Sequence, residues 1–182
     1  MEDYALILDY LPQGIPTDKS FRREPLAYAI GEVEFKLFEL VPKVEAVIVI
    51  GDRVYIGKDP SLRDKIVHVK RRVGYEELTA AAQAELPFVL QDIVKQQQDR
   101  FIKFFNEAQA ITTRFHMLEL IPGLGKKTMW AIIEERKKGA FTDYEDLVKR
   151  VPALKHPDKL LAKRIEDELS DPSQKYRIFV SR

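Results

Sequence analysis

The chain contains no cysteine. That removes disulfide frameworks, thiolate zinc sites, iron–sulfur clusters and cysteine nucleophiles together. Histidine is nearly as scarce: His68, His116 and His156 lie far apart in no ligand spacing, so neither a histidine metal centre nor a Ser–His–Asp arrangement can be argued. No apolar run approaches the ~20 residues of a membrane span; the purest, Ala46 to Ile50, is strand-sized. The first residues carry two acids, Glu2 and Asp3, and lack the basic-then-apolar plan of a signal peptide. Gly51, Gly57 and Lys58 have neither the spacing nor the hydroxyl of a P-loop. What remains is 182 residues, 45% hydrophobic and 32% charged, enough to bury a core in one domain or two small ones. The expectation is a cytoplasmic globular protein with no membrane contact and no evident small-molecule substrate.

The net charge of +1 hides an uneven distribution. Residues 1–75 carry 12 basic and 12 acidic side chains, residues 76–112 carry 3 and 6, and residues 113–182 carry 15 and 11. An acidic middle and a basic last third hint at a C-terminal part that faces a polyanion.

The hydrophobic pattern predicts an α+β chain in four parts. Residues 1–75 read as a small, closed or nearly closed β-barrel, OB-like, of five short strands. Tyr4–Leu8 and Ala27–Val41 are apolar runs, the second interrupted at Gly31, where a bulge or bend is expected. Ala46–Ile50 and Arg53–Ile56 read as a hairpin turning on Gly51-Asp52. Ile66–Val73 alternates, placing His68, Lys70 and Arg72 on one face and Val67, Val69 and Arg71 on the other. Residues 76–111 read as a helical linker. Pro87 opens a long amphipathic helix whose apolar stripe includes Leu90, Ile93, Val94, Phe101, Phe104, Phe105 and Ala108. Residues 112–170 read as short helices: one capped by Thr113, one over Lys126–Lys138 ended by Gly139, one entered through a Thr142-Asp143-Tyr144-Glu145 capping box and running to Arg150, and one opened by Pro157. The tail, residues 171–182, alternates over Tyr176–Val180 and is expected to add a strand to the N-terminal sheet.

The most informative string is Leu118-Glu119-Leu120-Ile121-Pro122-Gly123-Leu124-Gly125-Lys126-Lys127-Thr128-Met129-Trp130-Ala131. Gly123 and Gly125 permit positive backbone dihedrals and leave the peptide groups open to approach. Leu124 points inward and locks the loop. The N–H groups then meet a helix N-terminus, and Lys126 and Lys127 add charge where a phosphate would lie. Such a device grips a sugar–phosphate backbone without reading bases. Trp130 is expected in the core rather than as a stacking platform, and His116 as a packed, hydrogen-bonded histidine.

This string resembles the helix–hairpin–helix motif. The resemblance implies a phosphate held by the amides of Gly123, Gly125 and Lys126 or Lys127. It also implies a monovalent cation at the carbonyls of Glu119, Ile121 and Leu124, with no other cofactor required. Val151-Pro152-Ala153-Leu154-Lys155-His156 echoes the hairpin, with Ala153 and Lys155 in place of the glycines, so the motif reads as a tandem whose second half is structural. Strings such as Ala29-Ile30-Gly31-Glu32 and Gly51-Asp52-Arg53-Val54-Tyr55-Ile56-Gly57-Lys58, with the order of parts, resemble an archaeal family, the domain of unknown function 655. That family implies no activity.

The barrel reads either as a second nucleic-acid surface, where His68, Lys70 and Arg72, with Arg71 adjacent, combine with Arg53, Tyr55 and the loop residues Phe21-Arg22-Arg23, or as a protein-docking barrel, since acids and bases balance here and Glu32, Glu34 and Glu39 line one strand. The whole reads as a non-catalytic protein that binds RNA or DNA largely without regard to sequence. An alternative is a protein-interaction scaffold using the aromatic face at Phe101, Phe104 and Phe105. A minor one follows from similarity to helix–hairpin–helix DNA glycosylases with lyase activity, which implies Lys127 as a Schiff-base nucleophile. The aspartate that family requires would fall near Glu145, in a polar stretch that does not match.

Overall fold

The structure, a computed structural model, describes residues 1–15 and 23–181. Phe21 and Arg22 of the predicted loop surface lie outside the described residues. Strands β1 (Tyr4–Leu11), β2 (Leu26–Gly31), β3 (Leu37–Pro42), β4 (Arg53–Tyr55) and β5 (Ile66–Val73) come first. Five helices follow: α1 (Ala80–Gln96), α2 (Gln98–Glu107), α3 (Lys126–Lys137), α4 (Tyr144–Arg150) and α5 (Pro157–Ser170). A small ribbon, β6 (Ala110–Thr112) with β7 (Phe115–His116), and a 3-10 turn over Met117–Leu120 lie between α2 and α3. The chain divides into two compact units, Met1–Val89 with Asp167–Arg182, and Leu90–Glu166.

The first unit is an antiparallel half-barrel in the order β4-β1-β2-β3-β5. Among the described residues it is not closed: β4 and β5 are edges without a shared ladder. One face packs Ala5, Ile7, Ala27, Ala29, Phe38, Leu40, Val54, Ile56 and Ile66 into a core. β2 and β3 are buried along their whole length, so both faces are covered. The first half of α1 buries Ala82, Leu86 and Val89 and is tied to β1 by the Thr79 hydroxyl, which donates to Asp9 Oδ2 at 2.6 Å.

Several expectations need correction. The run Ala27–Val41 is not one bent strand but the hairpin β2–β3. Gly31 ends β2, and a Cβ there would lie within 2.5 Å of the buried Glu2 side chain, whose carboxylate accepts the N–H groups of Val33 and Glu34. Ala46–Ile50 forms no strand. Val49 and Asp52 close their own turn, Asp52 N–H donating to the Val49 carbonyl at 3.0 Å and Val49 N–H to the Asp52 carboxylate at 2.9 Å. Only Arg53–Tyr55 then pairs, and with β1. The tail over Tyr176–Val180 adds no strand either. It is held by the fully buried Glu168 carboxylate, which accepts the N–H groups of Ile178 and Phe179.

The predicted long helix is two. Pro87 lies inside α1, which begins seven residues earlier behind a Thr79 cap whose hydroxyl accepts the Ala82 N–H at 3.0 Å. The break falls at Gln97 (φ −99°, ψ 44°). The Tyr144 hydroxyl donates to the Val94 carbonyl at 2.8 Å, and Gln98 Oε1 accepts the Tyr144 N–H at 2.6 Å. A side chain inserted into the helical ladder is a recognised cause of a kink. Burial and the nearby Asp158 push the Tyr144 phenol well above its ordinary pKa, so it stays protonated and able to donate. Thr113 caps nothing: it sits in the turn of the β6–β7 ribbon.

Candidate functional site

Leu124 N–H donates to the Ile121 carbonyl at 3.1 Å. With Pro122 second, Gly123 third and φ of +83° at Gly123, this is a type II turn. A Cβ on Gly123 would also press on Leu160 Cδ2 at 3.3 Å. Ile121 and Leu124 are buried, which anchors the loop. Gly125 behaves differently from expectation. Its φ of −80° and ψ of 172° suit any residue, and a Cβ there would meet nothing within 4 Å. Glycine at this position keeps the approach to the helix open; it solves no backbone problem.

Gly125 is the N-cap of α3, and no side chain caps it. Its carbonyl accepts the Met129 N–H at 2.9 Å. The N–H groups of Lys126, Lys127 and Thr128 have no carbonyl one turn earlier, as at any helix start. Among the described residues no acceptor reaches these three donors, nor the N–H of Gly125 or Gly123. Four consecutive donors therefore face open space at the positive end of a twelve-residue helix. Lys126 and Lys127 are exposed beside them. Lys126 Nζ stands 3.8 Å from Glu119 Oε1 and keeps 71% of its side-chain surface in solvent.

The segment leading into the turn is a single 3-10 turn, not an α-helix. His116 caps it: Nδ1 accepts the Leu118 N–H at 3.0 Å, while Glu119 Oε2 accepts the His116 N–H at 2.7 Å. Burial first, then the positive Arg136, pulls the His116 pKa below its ordinary value, against the opposing effect of Glu119. The packed histidine expected from sequence is thus a neutral acceptor. Among the described residues no group of three or more His, Asp or Glu side chains could hold a metal ion.

Trp130 is not core. It is 57% exposed and forms one wall of a groove of about 140 Å³ between α3 and the β6–β7 ribbon. The signal was available: Met129 and Ile132 are buried, and Trp130 lies four residues after Lys126, on the solvent side of the same helix.

The barrel surface is not assembled as predicted. Register shifts in the β3–β5 ladder pair Arg72 with Phe38 and His68 with Val41. Residues opposite each other share a face and successive residues point to opposite faces. Arg72 therefore shares the face of Phe38 and Leu40, and His68 that of Glu39, with Lys70 at the bulge between them. All three are exposed, as is Arg23, but His68, Lys70 and Arg72 make no common patch. Arg71 is consumed by a bidentate pair with the buried Glu39 (2.9 and 3.0 Å) and a contact to Glu77 (2.7 Å). These carboxylates raise the Arg71 pKa further. Arg53 forks onto Glu32 (2.7 and 2.9 Å) and lies 3.6 Å above the Tyr4 ring. Phe101 and Phe105 are fully buried and Phe104 is half-buried, so most of the aromatic face of α2 is interior.

The chain belongs to the family described as protein of unknown function (DUF655), which it matches over residues 1–181. It is 49% identical over 180 residues to the uncharacterized protein MJ0038 of Methanocaldococcus jannaschii, covering 98% of this chain and 80% of that one. The crystal structure of Af1531 from Archaeoglobus fulgidus, of the same family, superimposes with a TM-score of 0.91 at 48% identity, covering 99% of this chain and all of the other. Among the described residues no helix is long and apolar enough to cross a membrane.

Proposed function

We propose that this protein binds nucleic acid without catalysis, gripping a phosphate of the backbone with the amides at the start of α3. The observation that carries this reading is the run of unpartnered donors from Gly125 to Thr128, set between Gly123 and the exposed Lys126 and Lys127. Amides at a helix start suit an anion, and contacts of this kind are blind to base sequence. The 3-10 turn, type II turn and α3 then act as one helix–hairpin–helix unit, with α4, the turn at Val151–Leu154 and α5 as its structural twin. The half-barrel serves as an OB-like module, with Arg23, His68, Lys70 and Arg72 as dispersed cations. A monovalent cation at the carbonyls of Glu119, Ile121 and Leu124 belongs to the same reading; Ile121 already accepts one N–H and keeps a second lone pair.

A lyase role is less well supported: Lys127 is exposed, whereas a Schiff-base lysine needs desolvation to lose its proton. A scaffold role would have to leave the buried aromatics and use the exposed loop of Val44, Val47 and Val49.

Gly125→Asp separates binding from folding. Its backbone suits an N-cap aspartate, so stability should hold or rise by a few tenths of a kcal/mol. Its carboxylate should occupy the donors and repel phosphate. We expect binding to labelled oligonucleotides at least tenfold weaker than wild type, and wild-type binding that falls log-linearly with salt. Unchanged affinity in the folded variant overturns the proposal.

A further inference from the structure

We propose that the groove beside the amides takes one unpaired nucleobase, stacked on Trp130, so that the site selects single strands over duplex. The inference rests on the phosphate reading above and adds a ligand class to it. Trp130 lies one helical turn after Lys126, about 6 Å along the axis at 1.5 Å per residue. A nucleotide whose phosphate meets the amides can reach the indole with its own base. The opposite wall is the β6–β7 ribbon, with Thr112, Thr113 and Arg114. Thr113 and Arg114 are exposed, offering a hydroxyl and a guanidinium to a base edge or an adjacent phosphate. Glu119 is the acid in the groove, and its carboxylate is already engaged by the His116 N–H and faced by Lys126. The groove therefore combines a π surface, partly neutralised acid and surrounding cations. A base still stacked in a helix could not present its face to the indole. A large indole left in solvent at this point has a use as a stacking platform.

The chain has a single tryptophan, so its fluorescence reports this site alone. Three ligands of equal length should be titrated against the whole protein: oligo-dT or oligo-U, an abasic strand with the same phosphates, and a duplex. Stacking predicts strong quenching by the base-bearing strands only. It also predicts that Trp130→Ala weakens their binding about tenfold, the scale of one base–aromatic stack, while Trp130→Phe keeps most of the affinity and abasic binding is unmoved. Trp130 is exposed, so neither variant should disturb the fold. If the base-bearing and abasic strands bind equally and Trp130→Ala changes neither, the stacking inference is overturned while the phosphate grip stands. If no strand binds the folded protein, both fall together. Quenching by duplex equal to that by single strands also overturns the inference.

Discussion

The two turns of the C-terminal unit share a frame and differ at each position that matters for an anion. Leu124 N–H closes on Ile121 at 3.1 Å and Leu154 N–H closes on Val151 at 3.0 Å. All four side chains are buried. In the first turn, Gly123 has positive φ and the helix begins three residues later, behind Gly125. In the second, Ala153 keeps negative φ, so the central peptide cannot take the type II orientation. The positive φ falls instead on His156, which precedes Pro157 at the start of α5. Proline has no N–H. The second helix therefore begins with a donor missing where the first offers Lys126. The repeat preserves what holds the loop in place and discards what would hold a phosphate.

If the shared frame is structural, the largest effects should be equal in the two copies. Leu124→Ala and Leu154→Ala each remove a side chain buried to within 6%, and each should cost ~2–5 kcal/mol in denaturant unfolding. A small cost at only one of them would break the equivalence. Next in size are one substitution in an entering segment and one in the first turn. Tyr144→Phe strands the Val94 carbonyl at the α1–α2 break and should cost ~1–3 kcal/mol. Gly123→Ala forces a Cβ into positive φ and against Leu160, at ~1–2 kcal/mol. Ala153→Gly, with no such strain to relieve, should cost no more than a conformational-entropy change of ~1 kcal/mol. Equal responses at 123 and 153, read from the same melts, would show that the two turns do not differ as described.

The legible parts of the chain were those governed by local chemistry. Pro-Gly followed by a buried leucine specifies its own turn. The Gly139 ending and Pro157 at a helix start act within a few residues, and the capping box read at Thr142 is off by one position, since Asp143 is the cap and accepts the Asp146 N–H at 2.7 Å. What stayed hidden depends on partners distant in sequence. A bulge at Lys70 is a property of the β3–β5 ladder, and it alone moves His68 and Arg72 to different faces. Ala46–Ile50 has strand composition but no partner strand, because Asp52 folds back on Val49. The helix break at Gln97 is set by Tyr144, 47 residues away. Arg53 and Arg71 looked available because the glutamates that occupy them, Glu32 and Glu39, sit on other elements. At the candidate site, sequence located the turn and its lysines but misplaced Trp130, by treating any aromatic on a helix as core without asking which side already held Met129 and Ile132.

The smallest expected difference between the copies is one of pH. The first turn is entered through His116, which must be neutral at Nδ1 to accept the Leu118 N–H; the second is entered through α4, capped by Asp143. The folded His116 pKa is depressed, so the unfolded chain binds a proton more readily than the folded one. The stabilisation is then complete above the unfolded value of about 6.5 and is lost as pH falls through the lower folded value. His116→Asn can still offer an oxygen to Leu118 but cannot titrate. Unfolding free energy measured between about pH 7 and pH 5 should decline more steeply for wild type than for this variant. Parallel profiles would mean that the cap on the first turn carries no proton-linked energy, and that the two entering segments respond alike to acid.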